Sequence, residues 1–185
     1  MPSALITADF NNDGHPDLAV TGGGISGVVA VLLGNGDGSF RALAGEVLPN
    51  PIESLVAGSF NGDGTLEIAA TISQSEYISI FPSNGDGTFA APVSVLADAL
   101  LSRPLLAGDF NGDGNTDLAV GTAGGIAVLL DNGNNTFQPP VLVPSLDLGN
   151  PADNLLALGD FNGDGKLDIV KTSLNDIVNV ALNTG

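Results

Sequence analysis

Cysteine and tryptophan are absent from the 185 residues, and histidine, tyrosine and methionine occur once each. Without cysteine there is neither a disulfide framework nor a thiol nucleophile, and the redox compartment stays open. Only four lysines and arginines stand against 21 aspartates and glutamates, giving a net charge of −17. Nucleic acid is therefore not expected as a partner, because its binding relies on Lys and Arg neutralising phosphates, and anionic membrane surfaces are disfavoured for the same reason. No apolar run approaches the roughly 20 residues that span a bilayer, so membrane insertion is not expected. The first residues, Met1-Pro2-Ser3-Ala4-Leu5-Ile6-Thr7-Ala8, carry no basic region and lead straight into an oxygen-rich loop, which does not read as a signal peptide.

What is present is a chain that is 43% apolar and only 14% charged, with 26 Gly and 11 Pro. That balance suits many short strands joined by tight turns rather than long helices, and the length allows one domain with a sizeable core.

Four oxygen-rich loops organise the sequence. The third, Asp109-Phe110-Asn111-Gly112-Asp113-Gly114-Asn115-Thr116-Asp117, puts oxygen-bearing side chains at loop positions 1, 3, 5 and 9 and Gly at position 6. The alternation aims successive side chains into one small volume, and the Gly allows a turn that brings position 9 back to the others. A hard cation such as Ca²⁺ takes six to eight oxygens at about 2.3–2.6 Å, which this spacing can supply. The other copies are loop one (Asp9 to Asp17), loop two (Ser59 to Glu67) and loop four (Asp160 to Asp168), at intervals of 50, 50 and 51 residues. Eleven of the 21 acids lie in these loops, so the acidity is mostly a property of candidate cation sites; four bound Ca²⁺ would bring −17 to −9.

Between the loops each repeat reads as four short strands. In the second, Leu55 to Phe60 leads into the loop and Leu66 to Ile72 leaves it. Tyr77 to Phe81 follows, then the turn Asn84-Gly85-Asp86-Gly87 and a last strand around Pro92 to Leu96. The β-branched alternation and the Asn-Gly turn favour hairpins. The turn recurs as Asn35-Gly36-Asp37-Gly38 and, degraded, as Asn132-Gly133-Asn134-Asn135. A four-stranded antiparallel unit on this period predicts an all-β protein, a β-propeller with units near 3–50, 51–101, 102–150 and 151–185 in a single domain. The fourth unit stops where its outer strand should follow. Blade edges need protection, so the expectation is a three-stranded fourth blade, a piece of a longer propeller, or self-association that completes the ring.

The pattern Asp-Phe-Asn-Gly-Asp-Gly-x-x-Asp followed by an apolar strand such as Leu118-Ala119-Val120-Gly121 resembles the FG-GAP/VCBS repeat family of integrin α-subunit-like propellers. The resemblance implies one Ca²⁺ per loop and an extracellular or cell-surface, non-catalytic module for adhesion or ligand recognition. Carried over, site one is Asp9, Asn11, Asp13 and Asp17 with the His15 carbonyl. Site two is Ser59, Asn61, Asp63 and Glu67 with the Thr65 carbonyl, and site three is Asp109, Asn111, Asp113 and Asp117 with the Asn115 carbonyl. Site four is Asp160, Asn162, Asp164 and Asp168 with the Lys166 carbonyl. The position-9 acid is placed to bind bidentately. Site two keeps two carboxylates where the others have three, and is expected to be the weakest. An EF-hand is excluded, because its twelfth-position Glu is replaced by Val20, Ala70, Val120 and Lys171. The bland alternative is that the loops are Asx-type turns bonding only local backbone.

With a site Kd of about 0.1 mM and roughly 1 mM free Ca²⁺, each site would add about 1.4 kcal/mol. Four would add on the order of 5–6 kcal/mol, comparable with the stability of a domain. Such sites would stay almost empty at cytosolic calcium, which argues for an extracellular setting. Seven of the eight Phe are locked to the repeat. Phe10, Phe60, Phe110 and Phe161 occupy loop position 2, while Phe40, Phe89 and Phe137 follow the hairpin turns, and all read as blade-packing residues. With Tyr77 the only Tyr, few rings are left for stacking sugars, which weakens a lectin-like reading without removing it. For catalysis little remains: His15 reads as a solvent-facing side chain at a backbone-ligand position, and Gly22-Gly23-Gly24 reads as a hairpin connection. The expected partner is an extracellular protein or glycan, with the variable residues Asp147 to Asp153 as the place to look. A glycan-binding propeller, or the non-catalytic appendage of a secreted enzyme, stands as the alternative.

Overall fold

The computed structural model describes residues 4–22, 26–97, 101–122, 125–143, 156–173 and 177–184. Four antiparallel sheets follow one another along the chain. The first runs β1 (Leu5–Ala8), β2 (Asp17–Gly22) and β3 (Gly27–Gly34), with an outer edge split into β4 (Phe40–Ala42) and β5 (Glu46–Leu48), both paired to β3. The second is β6 (Ile52–Gly58), β7 (Glu67–Ile72), β8 (Tyr77–Phe81) and β9 (Val93–Leu96). The third is β10 (Leu101–Gly108), β11 (Asp117–Thr122), β12 (Gly125–Leu129) and β13 (Val141–Val143). The fourth has three strands among the described residues: β14 (Leu156–Gly159), β15 (Asp168–Ser173) and β16 (Ile177–Ala181).

The first strands of the four sheets meet around one open cavity of about 540 Å³, which Ile6, Val56, Leu106 and Leu158 help to line. Up-and-down sheets with their first strands innermost around a shared axis are the blades of a β-propeller. Among the described residues no helix is long and apolar enough to cross a membrane.

Period-2 patterning gives every inner strand two apolar faces, one for each neighbour. Ala19, Val29 and Val31 of the first blade pack on Leu55, Ile68 and Ala70 of the second. Ala69, Ile78 and Ile80 of the second pack on Leu105, Leu118 and Val120 of the third, and Ala119 and Ile126 of the third meet Ile169 of the fourth. Each Val, Leu or Ile among these contributes about 1.5–3 kcal/mol on full burial, and the alanines less. The Phe rows tie the seams at the loop end. Phe89 stands edge-on to Phe10 at 5.8 Å, and Phe137 is tilted on Phe60 at the same 5.8 Å. Backbone adds to this, with the Asn135 N–H donating to the Phe60 carbonyl at 2.6 Å.

Three features differ from the sequence expectation. The second unit's first strand begins at Ile52 rather than Leu55, because a register shift between Ile52 and Ser54 lets pairing continue past the irregularity. Leu101 pairs with Thr122 and so belongs to the third sheet. Phe40 and Phe161, expected to pack between blades, are exposed, because among the described residues no further sheet packs on the outer side of the first or the fourth. Asp147 to Asp153, and Gly23 and Gly24 of the glycine run, lie outside the described residues.

Candidate functional site

Each oxygen-rich loop joins the first two strands of a blade and turns through two left-handed residues. Position 6 is Gly in all four (φ +83° to +89°), while position 4 is Gly62, Gly112 or Gly163 in three loops and Asn12, φ 56°, in the first. Asn tolerates this region better than other non-glycine residues. The sequence reading credited the turn to position 6 alone.

The side chains bond as follows. At position 1, Asp9 accepts the Asp13 and Gly14 N–H groups at 3.1 and 2.8 Å. Asp109 accepts those of Gly112 and Gly114 at 2.7 and 2.9 Å, and Asp160 those of Gly163, Asp164 and Gly165. At position 3, the amides of Asn11, Asn61, Asn111 and Asn162 donate to the position-5 carboxylates of Asp13, Asp63, Asp113 and Asp164 at 2.8–3.0 Å. Those carboxylates accept the position-7 N–H of His15, Thr65, Asn115 and Lys166 at 2.7–2.9 Å. Such bonds to the charged form hold the exposed Asp13, Asp63 and Asp113 carboxyls below the usual range, with the Asn11 amide foremost for Asp13 and the Thr65 hydroxyl for Asp63. Asp160 is lowered likewise, chiefly by the Gly165 N–H.

Position 9 behaves differently. Asp17, Glu67, Asp117 and Asp168 are fully buried. One oxygen of each accepts the position-2 N–H, from Phe10, Phe60, Phe110 and Phe161, at 2.7–2.9 Å. The other oxygen of Asp17, Asp117 and Asp168 accepts an N–H just beyond the blade's third strand, or at its last residue, from Gly34, Asp131 and Asn183 at 2.7–2.8 Å. In loop two the second Glu67 oxygen accepts the Thr65 hydroxyl at 3.1 Å, which absorbs the extra methylene. In three blades the position-9 acid therefore clamps the loop's entry to the end of the third strand, and in the second the Ser83 N–H also faces Glu67. Burial raises the pKa of Glu67 and Asp117, with the charge of Asp63, and of Asp113 and Asp109, adding to it.

The family model for the FG-GAP-like repeat matches three overlapping spans, residues 9–70, 59–120 and 109–170, each opening on position 1 of a loop. The chain belongs to the FG-GAP-like repeat family. No curated protein sequence matches it. Among solved structures, a lectin of Agrocybe aegerita, described by its specific recognition of non-reducing terminal N-acetylglucosamine, superposes with a TM-score of 0.70 at 24% identity over 99% of this chain. The chain spans 50% of that lectin's length. TcdB2-TccC3 without its hypervariable C-terminal region overlaps 77% of this chain and 7% of its own at 19% identity, with a TM-score of 0.45.

In these FG-GAP-like loops the donor set is oxygen only, which suits a hard cation. Among the described residues, however, no three acidic or histidine side chains stand together as a ready cation cluster, since the carboxylates are turned onto amides of their own loop. Ligation would redirect Asp9, Asn11 and Asp13, or their counterparts, all on exposed or half-exposed loop segments. Loop two has no carboxylate at position 1. His15 is exposed, but not simply solvent-facing: its ring lies so close to Gly36 that a Cβ there would sit 2.6 Å from it. Asn115 leans on Gly133 in the third repeat in the same way.

One acid was missed from sequence. Asp131 is buried beside the third FG-GAP-like loop, where its own N–H reaches Asp117. Neither carboxylate oxygen makes a hydrogen bond of full geometry, although the Gly133 and Asn132 N–H groups face it closely enough to favour the charged form in part. Burial, with help from the Asp117 and Asp113 charges, pushes its pKa up to about 6. Aligning the repeats would have found it, because the other three have Gly34, Ser83 and Asn183 there.

Proposed function

We propose that the chain is a non-catalytic binding module of the extracellular space or cell surface whose loops take up Ca²⁺. The observation that carries the reading is the fourfold recurrence of one oxygen-only loop, at the same place in every blade. Asp9, Asn11, Asp13 and Asp17 would hold one ion with the His15 carbonyl, and the corresponding residues of loops two to four would hold the rest. Bound Ca²⁺ would neutralise the carboxylates that crowd each loop and stiffen the rim on which a protein or glycan partner rests. The loop with Ser59 and Glu67 would bind most weakly, having one carboxylate fewer. A calorimetric Ca²⁺ titration of chelator-stripped protein, with thermal melts at both ends, tests this. Three or four ions bound and a rise of many degrees are expected; no heat and no shift would leave the loops as turns and refute the proposal.

A second reading, a glycan binder, is favoured by the likeness to a lectin propeller. Exposed Tyr77 is available to stack on a sugar. A glycan array probed with the labelled chain, with and without Ca²⁺, separates it from protein recognition: a saturable signal on one glycan class supports it, and a blank array refutes it.

A further inference from the structure

Asp131 has no charged counterpart in the other blades, where Gly34, Ser83 and Asn183 hold its place. It is 1% exposed, and neither of its carboxylate oxygens makes a hydrogen bond of full geometry. Ser83 shows how little the scaffold asks of this position: its hydroxyl accepts the Gly85 N–H at 3.1 Å and opens the hairpin turn without a charge. A buried carboxylate is costly unless it meets a positive partner, and buried charges are as a rule paired or bound to metal. The charges that act on Asp131, those of Asp117 and Asp113, are both negative.

The backbone sets this carboxylate beside the third oxygen-rich loop. The Asp131 N–H donates to Asp117 Oδ1 at 2.7 Å. An aspartate's Cγ lies under about 4 Å from its own N, so the carboxylate carbon is within about 7 Å of the position-9 acid. The turn that Asp131 opens leans on the same loop, for a Cβ at Gly133 would sit 3.1 Å from Asn115 Oδ1. Loops one, three and four each offer three carboxylates and loop two offers two. Asp131 raises the count at loop three to four.

We propose that Asp131 is a further carboxylate for a cation held in loop three, and that this loop fills before the other three. The inference rests on the reading of the loops as Ca²⁺ sites. Affinity of an oxygen-only site is tuned by the number of charged groups around it. A unit negative charge about 7 Å from a divalent ion favours binding about five- to tenfold even at the dielectric of water, and a drier setting strengthens it. Asp131 is already desolvated on folding, so ion binding gains the attraction without a new penalty of that kind.

The test is a Ca²⁺ titration of the chelator-stripped, isotope-labelled chain followed by NMR. The amides of Gly14, Gly64, Gly114 and Gly165, one at position 6 of each loop, report the four loops separately. Gly114 should respond at the lowest Ca²⁺, Gly14 and Gly165 next, and Gly64 last. Asp131→Ser, which installs the second blade's residue, should move the Gly114 curve about five- to tenfold toward higher Ca²⁺ and leave those of Gly14 and Gly165 in place. A role in the turn alone would not single out the Gly114 curve. Ser83→Asp, at a half-buried position, should move the Gly64 curve the other way. Circular dichroism in EDTA checks that each variant is folded, and either variant alone decides the matter. A Gly114 curve that coincides with those of Gly14 and Gly165, or that ignores Asp131→Ser, overturns the proposal, as does a Gly64 curve that ignores Ser83→Asp. If all four loops respond but none depends on these residues, the Ca²⁺ reading stands and only this inference falls. If no glycine responds at all, both fall.

Discussion

Replacing Asp17 by Asn isolates the clamp from any metal. Asp17 is buried, and its two oxygens accept the Phe10 and Gly34 N–H groups, each at 2.8 Å. Asn keeps the shape but presents one oxygen and one NH₂, so whichever way it sits, one backbone N–H faces a donor. The lost charge-assisted bond is worth about 1.5–3 kcal/mol, and the N–H left unpaired adds about 1–3 kcal/mol of desolvation that overlaps with it. We therefore expect Asp17→Asn to cost about 2–4 kcal/mol. The assay is urea unfolding in EDTA, where the midpoint should fall with the slope unchanged. Asp13→Asn in the same loop, at an exposed position, should cost under about 1 kcal/mol without metal. A loss below about 0.5 kcal/mol for Asp17→Asn would refute the clamp.

Asp131 supplies a pH dependence. Its folded pKa of about 6 lies above the ordinary 3.8, so the folded protein keeps a proton that the unfolded chain has released. The stability this group contributes is present at pH 4 and is lost as pH rises to about 6. In EDTA, Asp131→Asn should gain on wild type over that interval, and parallel urea midpoints between pH 4 and 7 would contradict it. Gly34→Ala should cost about 1–3 kcal/mol or more, because its Cβ would lie 2.2 Å from the Pro16 carbonyl oxygen, whereas Gly22→Ala meets nothing within 4 Å. Thermal melts of the two compare them directly. Phe60→Ala should cost about 3–5 kcal/mol from the second seam, while Phe161→Ala, at an exposed position, should cost far less when the two are melted side by side.

Local chemistry made the loops and strands legible. Asp, Asn and Gly at fixed spacing announce a turn, and β-branched alternation announces the strands around it, so β7, β8 and β9 fall where Leu66 to Ile72, Tyr77 to Phe81 and Pro92 to Leu96 were read. What escaped depends on partners far along the chain. That Asp17 also ties the loop to the third strand shows only when Gly34, 17 residues away, is seen to donate to it. Phe10 and Phe161 share a loop position, yet one is buried and the other exposed, because burial depends on the next repeat's hairpin rather than on local sequence. Asp131 sits outside the nine-residue pattern, and only its approach to Asp117 makes it part of the site.

Every residue of β7 and β11 is buried, whereas β2 alternates and the fourth sheet has one open flank. Chains built of stacked repeats behave as linear arrays, in which each unit is held by its nearest neighbours. The middle two blades have two neighbours each and the outer two have one, so opening should start at the ends and work inward. Amide hydrogens of β7 and β11 would then be the last to exchange and those of β15 and β16 among the first.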